Sequence, residues 1–328
     1  MEKMKCLIFN TEKDYVRTKN FIKYTGGLFE HEFYETKTKI PFLSQLNKFI
    51  KLSKLKKNNW VYVPNLDPIL VLMCRILNIR AISDILEPHP EMHKGVSRAF
   101  FSILERIAVK NSAIVLAVTR EETENLKNKY KTNNLLTIRN FPDIGDFKPT
   151  RTKFKDFSIV YFGVCMPSRD LTNATKAIDN LQKEHKIKFH IIGDKKLLSQ
   201  TFCKYKYHGW LDHEKSSDII GKCYVGISPY ENNGHCNLTL QNKAFQYAAC
   251  NTIPLSTNLG PLQKYKEAVL TTDNSVKGWQ KEIEKLYSLW EKRKLKFNQR
   301  EIILKNNWAA ENEWKKLGLF LIKRECKI

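Results

Sequence analysis

"NKAFQYAACNTIPLSTNLG", Asn242 to Gly260, reads as two kinds of structure joined at one residue. Leu240, Ala244, Tyr247 and Ala248 recur at helical spacing. Ala248, Ala249 and Cys250 are small enough for close packing of a helix on a sheet. Asn251 can adopt the left-handed conformation that ends a helix, a position glycine usually fills. "TIPLST" then reads as a buried strand and "NLG" as the turn out of it. The spacing predicts a helix–strand unit set against a ligand site.

The same alternation runs through the chain. Short apolar runs, each followed by a helix-like segment, occur at "CLIF" (6–9), "WVYV" (60–63), "AISDI" (81–85), "AIVLAV" (113–118) and "LLTI" (135–138). They return at "SIVYFG" (158–163), "FHIIG" (189–193), "YVGISPY" (224–230), "TIPLST" (252–257) and "AVLTT" (268–272). Runs apolar on both faces suit parallel strands covered by helices. Alternation in both halves predicts an α/β protein of two doubly wound domains. The join falls near "NFPDIGDFKPTRTKFKD" (140–156), where proline, glycine and charge cluster.

At 328 residues the chain exceeds one ordinary core, and 42% hydrophobic content lets both halves bury one. Eight cysteines without a CxxC pair read as reduced thiols of a cytosolic protein. "MEKMKCLIFN" starts a strand directly, which leaves no room for a signal peptide, and "ILVLMCRIL" is too short to span a membrane. A net charge of +22 points to nucleic acid, an anionic membrane surface or anionic small substrates. The charge is shared, with net +9 over residues 1–150 and +13 over 151–328. Between Glu35 and Asp67 there are seven lysines and no acid.

In open parallel sheets, ligands bind beyond the carboxyl ends of strands, where helix N-termini present N–H groups. Three strand ends in the second half fit. Gly163 closes "IVYFG", and the following segment places Arg169 at a helix start. Gly193 closes "FHIIG". After "SPY", a polar loop holding Glu231 and His235 feeds a helix that begins with Asn242 and Lys243, a plausible phosphate cradle. In the first half, Asp84 and Glu87 end a strand, which suits acceptor binding or a general base; the alternative is a loop acid capping the helix near 91–100. His89, Glu91 and His93 lack further ligands for a metal, and we expect no essential metal or cofactor.

"QNKAFQYAACNTIPLST" resembles the signature of retaining GT-B glycosyltransferases, specifically glycosyltransferase family 4, whose members often read P-N-K-L-F-E-Y-M-A-x-G-x-P-V there. Other pieces follow in the family's order: "RTKNFIKYTG" (17–26), "AISDILEPHPE", "ERIAVKNSAIVLAVTREETENLKNKY", "LLTIRNFPD", "IVYFGVCMPSRDL" and "YHGWLDHEKSSDIIGKCYVGISPY". The resemblance spans roughly residues 5 to 318. It implies a GT-B architecture of two Rossmann-like domains facing across a cleft. Residues 1–150 would bind the acceptor, 151–306 the nucleotide sugar, and 307–328 would form a helix returning to the first domain. That helix would bury Trp308, Leu317 and Leu321.

The donor site so implied comprises Gly163, Arg169, Glu231, His235, Leu240, Asn242, Lys243 and Gln246, with Arg169 and a partly exposed Lys243 on the diphosphate. The sequence departs from the family pattern at four positions. The ribose-binding glutamate falls at Gln246 and its partner eight residues earlier at Leu238. The basic residue after the first glycine falls at Val164, and the first-domain histidine at Leu86. Gln246 retains a hydrogen bond to a ribose hydroxyl but not its charge-assisted strength.

Three functions compete. One is a glycosyltransferase moving a sugar from a nucleoside-diphosphate sugar to a glycan or lipid-linked acceptor, in surface polysaccharide or glycolipid synthesis. The second is a catalytically silent relative that binds a sugar or partner protein. The third, nucleic-acid binding, rests on charge alone and lacks any supporting motif, so it ranks last. "IPFLSQLNKFIKLSKLKKNNW" (40–60) sets Leu43, Leu46, Phe49 and Ile50 on one face, with Lys48, Lys51, Lys54, Lys56 and Lys57 nearby. That pattern suits a helix lying on an anionic bilayer, or a first-domain helix with core and solvated faces. The expected location is the cytoplasm, peripheral to the membrane face.

Overall fold

In a computed structural model the described residues are 3–9, 16–34, 41–55 and 59–325. The chain divides into two compact units, one of residues up to Asn140 together with those from Ala310 on, the other Phe141–Ala309. The division falls at the start of the 140–156 stretch, ten residues before the domain bound expected at 150.

The first unit alternates strand and helix from its start. It runs β1 (Met4–Phe9), α1 (Val16–Thr25), β2 (Phe29–Tyr34), α2 (Pro41–Ser53), β3 (Trp60–Pro64) and α3 (Pro68–Ile76). It continues with β4 (Arg80–Ile85), α4 (Gly95–Asn111), β5 (Ile114–Ala117), α5 (Arg120–Tyr130) and β6 (Leu135–Thr137). The strands form one parallel sheet in the order β2-β1-β3-β4-β5-β6. Because side chains alternate across a strand, the two faces draw on different residues. Leu7, Phe9, Val61 and Val63 pack with Leu52, Leu70, Val71, Cys74 and Ala108 of α2, α3 and α4. Cys6, Ile8, Tyr62 and Ile82 face the other way onto Phe21 of α1.

The second unit repeats the scheme. Its elements are β7 (Phe157–Gly163), α6 (Thr172–Gln182), β8 (Ile187–Gly193), β9 (Tyr205–Tyr207), α7 (His213–Lys222) and β10 (Val225–Ser228). They continue with α8 (Asn242–Ala249), β11 (Ile253–Thr257), β12 (Leu270–Thr272), α9 (Val276–Glu291) and α10 (Gln299–Lys305). The parallel sheet has the order β12-β11-β10-β7-β8-β9, so the direction of winding reverses between β7 and β10. Trp279, Ile283 and Leu286 of α9 fill one face with α6; α7, α8 and α10 cover the other.

The last helix, α11 (Ala310–Glu325), belongs to the first unit. Trp314, Leu317 and Leu321 complete the α1 side of its core, Trp314 meeting Phe21 edge-on at 5.5 Å between ring centroids. The expected anchor Trp308 instead packs in the second unit, its ring 4.8 Å from that of Tyr265. Two strands, β2 ("FEHEFY") and β9 ("YKY"), carry no apolar run; both are sheet edges, and of their residues only Phe29 is buried.

Candidate functional site

The winding reversal opens the sheet of the second unit between the carboxyl ends of β7 and β10, and α8 is fastened across that gap. Tyr247 does the fastening. Its hydroxyl accepts the Phe162 N–H at 3.0 Å and donates to the Ile227 carbonyl at 3.1 Å, bridging the two strands. At its far end α8 stops where the sequence predicts. Asn251 has a φ of 56°, and the Thr252 N–H reaches back to the Tyr247 carbonyl at 3.0 Å. The near end is open, with no side-chain cap among the described residues. Among the described residues the buried Gln241 Oε1 and Asn242 Oδ1 find no hydrogen-bond partner.

Lys243, in the first turn of α8, extends over the end of β7. It is only 7% exposed, against the expected partial exposure. Its ammonium donates to the Tyr161 hydroxyl at 2.8 Å and lies 4.5 Å from the centre of that ring. The Tyr230 ring is 5.8 Å from the same ammonium and 5.5 Å from the Arg169 guanidinium carbon. Two cations thus share one aromatic neighbour. Burial, and secondarily the Arg169 charge, push the Lys243 pKa well below the ordinary lysine value. Arg169 itself precedes α6, whose N-cap is Leu171, and does not occupy its first turn.

Two glycines make the room. A Cβ on Gly163, whose φ is 145°, would lie 2.3 Å from Lys243 Cε. A Cβ on Gly193, at φ 130°, would lie 1.9 Å from the Gly163 carbonyl oxygen. The two are direct neighbours in the β7–β8 register, so lysine, strand end and second strand end nest in sequence.

The remaining second-unit residues fall around this point. The Glu231 N–H bonds the Ser168 carbonyl at 3.0 Å, tying the loop after β10 to the Arg169 loop, while the Glu231 side chain is exposed. His235 and Leu240 are buried, Leu240 in the core under α8. Gln246 is buried one turn after Lys243. Leu238 and Val164 are half-buried. Sequence reading passed over Tyr161 and Tyr230. Tyr161 has a signal, since it sits two residues before Gly163 on the same face of a strand.

The first-unit acids are placed differently. Asp84 is fully buried, and Arg17 of α1 grips both its oxygens, Nε to Oδ2 at 2.7 Å and Nη2 to Oδ1 at 2.8 Å. The Tyr62 hydroxyl donates to Oδ2 as well. That is the geometry of a buried ion pair, where removing one charge strands the other. Asp84→Asn should therefore cost about 3–5 kcal/mol and lower the melting temperature by about 6–20 °C. An unchanged melting temperature with lost turnover would instead mark a base. Glu87 and Leu86 are half-buried just beyond the strand.

Of the lysines expected to meet a membrane, Lys48 is buried and ion-paired to Asp67 at 3.0 Å, and Lys51 is paired to Glu32. Lys54 is exposed; Lys56 and Lys57 lie outside the described residues. Among the described residues no group of three or more His, Cys, Asp or Glu is placed to hold a metal ion. No helix among them is long and apolar enough to cross a membrane.

No protein-family model and no curated protein sequence matches the chain. Solved structures match over nearly all of it. HepE of Anabaena, solved with UDP and glucose, superposes with a TM-score of 0.76 at 10% identity, covering 98% of this chain and 100% of its own. Sucrose-phosphate synthase of Thermosynechococcus elongatus gives 0.74 at 13% identity, covering 99% and 100%. A putative UDP-N-acetylglucosamine 2-epimerase of Listeria monocytogenes gives 0.66 at 8% identity, covering 99% and 97%. The shared feature is the GT-B fold of two Rossmann-like units. A synthase and an epimerase on one fold leave the reaction to be argued from the site.

Proposed function

We propose that the chain is a retaining glycosyltransferase of the family 4 type. It moves a sugar from a nucleoside-diphosphate sugar to a glycan or lipid-linked acceptor, in surface polysaccharide or glycolipid synthesis at the cytoplasmic membrane face. The observation that carries this reading is Lys243, a buried ammonium beside Arg169 whose hydrogen bond goes to a neutral phenol. A buried cation placed this way is costly until an anion arrives. The departing diphosphate is that anion, and it needs positive charge as the anomeric bond breaks.

In this reading Lys243 and Arg169 hold the diphosphate, with the open N-terminus of α8 adding N–H groups. Gln246 meets a ribose hydroxyl, and the unpartnered Asn242 Oδ1 accepts from the donor. Glu231 and His235 lie toward the sugar. Glu87 is the better candidate base, since both Asp84 oxygens are engaged. That engagement also favours the second reading, a silent relative that binds a nucleotide sugar without turning it over.

The test is a thermal-shift panel of nucleoside-diphosphate sugars, followed by an assay for released nucleoside diphosphate. A donor at a hundred times its Kd adds about 2.7 kcal/mol, or about 5–10 °C. A shift with release supports transfer chemistry, and a shift without release supports the silent relative. No shift with any donor, together with strongly salt-dependent binding to nucleic acid, would overturn both.

A further inference from the structure

Helices α2, α3 and α4 lie on one face of the first sheet, and each turns apolar side chains outward as well as inward. On α2 the exposed residues are Phe42, Leu43, Leu46 and Ile50; on α3, Ile69, Leu72 and Ile76; on α4, Val96, Phe100 and Ile103. Each set repeats at three- to four-residue spacing, so each forms a stripe. Val96 is 88% exposed and Ile76 is 73% exposed. From Lys94 to Phe100 every residue is exposed, and the first core residue of α4 is Glu105. Ten large apolar side chains on three neighbouring helices exceed the scattered exposure of an ordinary soluble surface.

The charge of the same layer is one-sided. Across the three helices the sequence holds one acid, Glu105, which is buried against Lys129 and Tyr130. Arg75, Arg106 and Lys110 are exposed, and Arg75, Arg80 and Lys110 line a cavity of about 610 Å³ with no acid in its wall. A second copy of this chain docked here would set these cations against their own images. A bilayer with anionic headgroups offers an apolar interior to the stripes and opposite charge to their fringe.

We infer that the outer face of α2, α3 and α4 inserts shallowly into an anionic lipid bilayer, with apolar side chains leading and Arg75, Arg106 and Lys110 meeting headgroups. This deepens the acceptor side of the reading above by naming the surface. It differs from a lysine-driven contact through α2, because Lys48 and Lys51 are committed to Asp67 and Glu32. Insertion resists salt, whereas headgroup attraction is screened within about 3 Å at 1 M salt.

The experiment is co-sedimentation of the full chain with phosphatidylcholine vesicles, with or without phosphatidylglycerol, at low and high salt. The variants are Ile76→Ser/Val96→Ser/Phe100→Ser and Arg75→Gln/Lys110→Gln. All five side chains are exposed, so melting temperatures should stay near wild type. Wild type should bind the anionic vesicles and keep part of that binding at high salt. The apolar triple variant should bind about a hundredfold more weakly. The charge variant should lose only the salt-sensitive part, roughly fivefold per cation. Equal vesicle binding by wild type and the triple variant would overturn the inference. So would a wild type that ignores vesicles and forms a dimer the triple variant lacks. Donor binding, measured alongside, should be unchanged in both variants; its absence in wild type would count against the transferase reading alone.

Discussion

Lys243→Met should bind nucleoside-diphosphate sugars about a hundredfold more weakly, yet melt higher than wild type at neutral pH without ligand. The first effect follows from removing a cation that hydrogen-bonds a diphosphate, an interaction worth about 1.5–3 kcal/mol. The second follows from burial. Lys243 carries its charge into a site walled by Tyr161, Tyr230 and the carbons of Gly163, beside a second cation. Its folded pKa lies well below the unfolded value near 10.5. Between those two values the unfolded chain binds the extra proton, so native stability rises with pH across that window. Below the folded value the penalty is complete, and above the unfolded value it is gone. The methionine variant has no such slope, so its advantage should shrink as pH climbs toward 10.5. A bound diphosphate reverses the shift. Above the folded pKa, wild type should therefore take up a proton on binding, visible by calorimetry in two buffers of different ionisation enthalpy. Donor affinity equal to wild type would remove Lys243 from the site.

Gly193→Ala should be among the most destabilising single changes in the second unit, costing about 4 kcal/mol. A side chain at a φ of 130° is strained by itself, at about 1–3 kcal/mol. The added carbon would also sit 1.9 Å from the Gly163 carbonyl oxygen, a backbone atom that no rotamer change can move aside. That carbonyl accepts the Asp194 N–H at 3.2 Å, so its displacement opens a second contact. The variant should be poorly soluble or melt about 8–16 °C lower. Residual folded protein should bind donor weakly, because Gly163 faces Lys243. A melting temperature within a few degrees of wild type would show that strands β7 and β8 separate easily at their ends.

What the sequence disclosed and what it withheld divide along physical lines. The α8–β11 unit was legible to the residue, because helix spacing, small packing residues and a left-handed Asn251 all act locally. The ten apolar runs became strands; eight of them are central in their sheets, where a covered strand has no solvent side, and two, β6 and β12, are edges. The edges β2 and β9 were not legible, since "FEHEFY" and "YKY" interleave charged residues with aromatic ones and bury only Phe29, whereas the edges β6 and β12 keep an apolar run. The pairing of Asp84 with Arg17 joins residues 67 positions apart, and nothing in either neighbourhood announces it. Burial of Lys243 was equally hidden, because composition counts a lysine as a surface residue until the fold lays Tyr161 and Gly163 beneath it. Trp308 and Trp314, six positions apart, entered different cores, and only the turn into α11 separates their fates.

The return of α11 to the first unit imposes an order on the protein's manufacture. Phe21 and Tyr62 stack at 4.0 Å, and the edge of Trp314 closes over Phe21. A nascent chain released as far as Asn140 has its six-stranded sheet but lacks that cover. Ala310 emerges 170 residues later, a delay of about 10–30 s at ribosomal speed. Through that interval the second unit, contiguous from Phe141 to Ala309, can finish folding while the first waits with an aromatic face open to water. The first part made is thus the last completed.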